Sequence, residues 1–171
     1  MLARMNAVDQ LCPNCGLCCD STLFADVELR AGDDPQRLAK LGFTLWQKSK
    51  ARQAFSQPCI GFDGQYCKLY ADRPKRCRQF ECGLLKRVAR GELPAGLALE
   101  KIQAAKARAN EIRELLRQIG QRDEHLALTH RYAAAMSAPI NLSVEGDADQ
   151  RGQLMLAVSA LMQTLERDFL C

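Results

Sequence analysis

Eight of the chain's nine cysteines fall between Cys12 and Cys82, and the ninth is the last residue, Cys171. The first group reads Cys12-x2-Cys15-x2-Cys18-Cys19, and the second Cys59-x7-Cys67-x9-Cys77-x4-Cys82. Two-residue gaps let a chain turn so that successive sulfurs face one centre, and Pro13, Asn14 and Gly16 suit a tight loop over Leu11 to Asp20. Thiolate is a soft donor that suits zinc and iron–sulfur clusters. The pair Cys18-Cys19 adds a constraint. Consecutive side chains tend to point apart, so the two are expected to serve different centres or one polynuclear cluster. Eight thiols suffice for two four-thiolate sites, for one with four spare thiols, or for a polynuclear site, and spacing does not choose among these. The candidate metal ligands are Cys12, Cys15, Cys18, Cys19, Cys59, Cys67, Cys77 and Cys82. Cys171 is set aside as a terminal thiol.

Disulfides are the other use of clustered cysteines, and they belong to oxidising compartments. Residues 1–10 carry Arg4 and Asp9 without an apolar run, so no secretory signal is read there. No stretch approaches the roughly 18 apolar residues needed to cross a bilayer, so no membrane partner is expected. A cytoplasmic setting follows, and there clustered cysteines bind metal or do redox chemistry. The formal net charge of +4 counts thiols as neutral, whereas metal-bound cysteines are thiolates, so it carries no nucleic-acid signal. Lys68, Arg73, Lys75, Arg76, Arg78, Lys86, Arg87 and Arg90 face only Asp72 and Glu81 in the same stretch. Such cations stabilise thiolates nearby. A nucleic-acid partner is disfavoured, because few aromatics interleave with these charges.

Other chemical templates fail. Cys12, Cys15 and Cys18 match the start of a bacterial ferredoxin run, but Thr22 stands where its fourth cysteine is needed. His125 and His130 are five apart, about 140° around a helix, and do not share a face. No phosphate-binding glycine loop and no nucleophile elbow occurs. A zinc-protease motif from His125 would need Glu and a second His where Leu126 and Thr129 stand.

The expected fold is mostly α: a small irregular cysteine-rich region with a short β-hairpin, then a C-terminal helical hairpin or bundle. Ala, Leu, Arg and Gln are plentiful and aromatics are 6%, which favours helix over sheet. Gly91-Glu92-Leu93-Pro94 divides a cysteine domain, 1–93, from a helical extension, 94–171, packing on it. In the first half a helix is expected from Pro35 to Phe55, capped by Asp33 or Asp34, with Leu38, Leu41, Leu45 and Trp46 on its apolar side. Asp63-Gly64 predicts a hairpin over Cys59–Cys67, Pro74 opens a helical turn to Phe80, and Leu84–Arg90 reads as helix. In the second half Ala98, Ile102, Ala105, Ala109, Ile112, Leu116 and Ile119 form a heptad seam on one long helix ending at Gly120. Helices over Asp123–Met136 and Asp147–Phe169 follow, the last with Leu154, Val158, Leu161, Leu165 and Phe169 on one face. The alanine-rich seam is expected to pack within the chain, with self-association or a protein partner as the alternative.

The motif Cys12-Pro13-Asn14-Cys15-Gly16-Leu17-Cys18-Cys19, then Cys59, Cys67 and the segment Arg73-Pro74-Lys75-Arg76-Cys77-Arg78-Gln79-Phe80-Glu81-Cys82, resembles the YkgJ-like cysteine-cluster family over roughly residues 10 to 90. That family is described as a zinc- or iron-chelating CxxCxxCC domain. The resemblance implies chelation of zinc or iron, an iron–sulfur cluster being one form, by these eight cysteines. A flagellin lysine methylase is similar in its cysteine domain, which links some relatives to protein lysine N-methylation. No methyl-donor site is recognisable here, so that role does not carry over. The leading expectation is a metal-binding protein. A metal-dependent redox or group-transfer enzyme and an interaction module with structural zinc are the alternatives, and whether the chain is an enzyme stays open.

Overall fold

The computed structural model describes residues 6–141, 143 and 146–170. Cys171 and residues 1–5 lie outside the described residues.

The helical layer is built on the seam. Helix α5, Ala95–Gln118, buries Ala98, Ile102, Ala105, Ala109, Ile112 and Leu116, each at most 1% exposed. Its three buried alanines leave room for neighbours to approach closely. Helix α1, Ala7–Cys15, lies against it and contributes Leu11. Helix α7, Asp147–Leu165, packs alongside with Leu154, Leu161 and Leu165 and continues as a π-helical turn, Glu166–Leu170, that buries Phe169. Helices α4, Gly83–Ala89, and α6, Leu128–Ser137, complete the layer with Leu84, Leu85, Leu128 and Ala135. The seam is thus consumed inside the chain. Gly120, at φ +88°, ends α5 in the left-handed conformation that glycine adopts without a Cβ penalty.

One buried cluster runs across the Leu93–Pro94 junction: Leu11, Leu17, Leu84 and Leu85 belong to it together with the α5 and α7 residues. A second, smaller cluster consists of Val27, Leu38, Phe43 and Phe55. It sits on an antiparallel sheet in the order β1-β3-β2, formed by β1 Asp26–Glu28, β2 Leu45–Ser49 and β3 Arg52–Ser56. Val27 pairs with Phe55, and Leu45 pairs with Phe55 from the other side. The rings of Phe43 and Phe55 meet edge-on at 4.7 Å.

The first half departs from expectation in three places. The helix expected from Pro35 to Phe55 is only α2, Pro35–Lys40; Gly42 at φ +93° ends it, and the remainder folds as the β2–β3 hairpin. Leu38 is buried, whereas Leu41 is 37% and Trp46 36% exposed, so these do not form one apolar face. The loop expected over Leu11–Asp20 is helical as far as Cys15, because Asn6 caps α1 by accepting from the Asp9 amide at 2.9 Å. Around Asp63-Gly64 the ladder reduces to one bridge, Phe62 with Cys67. Elsewhere α3, Lys75–Gln79, and α4 fall where expected, and α6 begins five residues later than the Asp123 start.

Candidate metal centre

The eight predicted ligands come from separate elements. Cys12 and Cys15 lie on α1 and its last turn. Gly16, at φ +75°, reverses the chain there, and a Cβ on it would run into the Phe62 ring. Cys18 and Cys19 follow in a turn closed by the Cys19 amide donating to the Gly16 carbonyl at 2.7 Å. Cys59 comes directly after the cis peptide Gln57–Pro58, and its amide donates to the Cys19 carbonyl at 2.8 Å. Cys67 is at the Phe62 bridge, Cys77 is on α3 and Cys82 precedes α4.

All eight line one cavity of about 920 Å³ and are free thiols. Their packing divides them. Cys15 and Cys82 rest against the helical cluster, whereas Cys59 and Cys77 rest against the sheet cluster.

Their electrostatics divide them in the same way. Burial pushes up the Cys12, Cys18, Cys19, Cys59 and Cys82 thiols, carries Cys15 to about 12 and Cys77 to about 11, so all of these stand neutral near pH 7. Neighbouring thiols add to the push. Cys12 feels Cys82; Cys15 feels Cys82 and Cys12; Cys18 feels Cys15, Cys82 and Cys12. Cys19 feels Cys59, Cys77 and Cys67, and Cys77 feels Cys59 and Cys67. Across the two sets Cys18 also feels Cys19, its neighbour in the chain. By nearest thiol neighbours the cysteines thus group as Cys12, Cys15, Cys18 and Cys82 on one side and Cys19, Cys59, Cys67 and Cys77 on the other, with Cys18 and Cys19 the link between them.

Among the described residues no group of three or more His, Cys, Asp or Glu side chains is placed, as it stands, to hold a metal ion. The donors themselves fit zinc or iron: each set offers four soft thiols, the number that fills a tetrahedral site or ligates a four-cysteine cluster. A metal would draw each set together and displace its protons. Of the basic stretch read from sequence, Arg73 and Arg76 line the cavity, with Arg73 stacked on Tyr70 at 3.6 Å, and Arg73 pulls down the Cys12 and Cys77 thiols. His125 and His130 are exposed and are not lining residues of this cavity.

Sequence reading passed over several polar residues here. Gln57 lines the cavity at 2% exposure, and its Oε1 has no hydrogen-bond partner among the described residues. Ser21 and Thr22, directly after the thiol motif, are buried, and Asp20 pairs with Arg113 of α5. Only tertiary structure brings Arg113 to the motif, so no local signal marked it.

Among the described residues no helix is long and apolar enough to cross a membrane. Neither a curated protein nor a solved structure matches the chain. A family model does: CxxCxxCC, described as "Putative zinc- or iron-chelating domain", matches residues 11–113. The match takes in all eight thiols and continues through most of α5, well beyond the residue-90 limit read from motifs alone. With more than half of its length matched and the cysteine pattern intact, the chain belongs to the CxxCxxCC family.

Proposed function

We propose that the protein chelates zinc or iron in two four-cysteine centres, one held by Cys12, Cys15, Cys18 and Cys82, the other by Cys19, Cys59, Cys67 and Cys77. The observation that carries this is that packing and thiol proximity group the cysteines alike. Packing assigns Cys15 and Cys82 to the helical cluster and Cys59 and Cys77 to the sheet cluster, and thiol-to-thiol repulsion sorts the same residues alike. The adjacent pair Cys18-Cys19 then joins the two centres through a single peptide bond. Bound metal supplies cross-links between segments that share little apolar contact. The helices after Pro94 serve as the platform for the first centre. A reducing cytoplasmic setting fits eight free thiols.

The test is anaerobic purification with elemental analysis and an absorption spectrum of the same sample. About two zinc per chain with no visible band is expected for two mononuclear centres. Iron with acid-labile sulfide and absorbance near roughly 400 nm would assign clusters instead and bring a redox role forward. A chain purified without either metal, and unable to take it up, would refute chelation.

A further inference from the structure

We infer that Arg113 is the positioning residue of the second centre, holding the chain directly after Cys18-Cys19 so that the two thiols diverge into different sets; this rests on the two-centre chelation proposed above. Four contacts make the fork. Arg113 Nη2 donates to the Asp20 carbonyl at 3.1 Å and to Thr22 Oγ1 at 3.0 Å, and pairs with Asp20 Oδ2 at 3.1 Å. Its Nη1 donates to Asn110 Oδ1 at 3.0 Å, which orients the guanidinium from one turn earlier on α5.

The segment it grips is strained. Ser21 sits at φ +72°, a left-handed conformation that non-glycine residues rarely adopt. Such a backbone persists only where its surroundings over-determine it. Three elements do so here: the Asp20 side chain accepts from the Thr22 amide at 2.9 Å, Ser21 Oγ accepts from the Leu128 amide at the start of α6 at 3.2 Å, and Arg113 closes the fork. The held turn sets the Cys19 carbonyl where the Cys59 amide meets it, so Cys19 and Cys59 of the second set are registered against each other. The contacts to the motif all fall on Nη2 while Nη1 is held by Asn110, so the planar guanidinium spans the motif and its own helix at once; an ammonium is a point charge without that fixed geometry.

The experiment compares the full wild-type chain with Arg113→Leu, Arg113→Lys and a control, Arg108→Leu. Arg108 lies on the same helix but ties it to α7, through the Ala160 carbonyl at 2.9 Å, away from the thiols. Metal equivalents of each anaerobically purified protein are counted, and release to a chromophoric chelator is followed. Arg113→Leu is expected to weaken one equivalent by about 10-fold or more and leave the other near wild type. Arg113→Lys, which keeps the charge and protects the test if the leucine variant misfolds, is expected to fall between the two. Arg108→Leu is expected to keep both equivalents. Two tightly held equivalents in Arg113→Leu would overturn the inference alone. Equal losses in Arg113→Leu and Arg108→Leu would reduce Arg113 to a general structural contact and overturn it too. A wild-type chain that holds neither zinc nor iron would overturn the chelation proposal, and this inference with it.

Discussion

Cys18 and Cys19 are covalent neighbours, and the two-centre proposal assigns them to different metals. Serine preserves the size of either residue and removes the soft donor. Cys18→Ser is therefore expected to lose about one metal equivalent from the set containing Cys82, and Cys19→Ser about one from the set containing Cys59. Alkylation mapping of the remaining thiols checks this: newly reactive cysteines should be Cys12, Cys15 and Cys82 in the first variant, and Cys59, Cys67 and Cys77 in the second. The same thiols exposed in both variants would show that the sets are one. At Gly16 the constraint is steric. Its positive φ already disfavours any side chain, and an added Cβ meets the Phe62 ring. Gly16→Ala is expected to cost about 1–2 kcal/mol from the backbone alone, read as a lower denaturation midpoint together with faster metal release. The eight thiols were visible from their clustering. The proposed division into sets was not, because it rests on which hydrophobic cluster each segment packs against.

At the scale of elements, local pattern sufficed where one helix satisfies its own periodicity. The seam spans seven positions in the sequence, and the structure buries six of them, leaving Ile119 partly buried at the end of α5. Ile112→Ala removes a fully buried side chain between packed helices and is expected to cost about 2–5 kcal/mol, whereas Ile140→Ala, at a site 53% exposed, should be near neutral in the same denaturant titration. Residues 35–55 misled because Leu38, Leu41 and Leu45 keep helical spacing through Gly42. What decides the outcome is non-local: β3 pairs with β1, far earlier in the chain, and buries Phe55 beneath Val27. The π-helical turn after α7 was read only as more helix. It buries Asp168 at 1% exposure between Lys101 at 2.9 Å and Arg167 at 2.8 Å. Burial pushes that carboxyl upward, but hydrogen bonds and charge from Arg167 and Lys101 outweigh it and hold it below the usual range. A lowered folded pKa stabilises the protein above the unfolded value of about 3.9, and the gain disappears as pH falls through the folded value. Asp168→Asn is thus expected to lose about 2 kcal/mol at pH 7. Melting curves of the two proteins should converge as the pH is taken below about 4; a pH-independent gap would assign the loss to packing instead.

At the scale of the whole molecule, the two hydrophobic clusters are unequal. The helical one gathers 17 buried residues, the sheet one four. A four-residue core is too small to order a segment of this length by burial, and small cores of this kind rely on staples. The two proposed metal centres would staple unequally as well. The first would lie among α1, α4 and the thiol turn, elements already packed on α5. The second joins Cys19 to Cys59, Cys67 and Cys77, which carry the sheet cluster. Metal removal should accordingly divide the molecule along the line between the sets. After anaerobic chelation, amide exchange is expected to accelerate across residues 24–81, while α1, α4, α5 and α7 keep most of their protection because their shared cluster needs no metal. Loss of the second centre alone, in Cys77→Ser, should reproduce that pattern. Loss of the first alone, in Cys82→Ser, should leave the sheet segment protected and loosen chiefly the turn between Cys15 and Asp20. Uniform loss of protection across both clusters after chelation would instead mean that the helical layer depends on metal too, and that the larger core does not stand by itself.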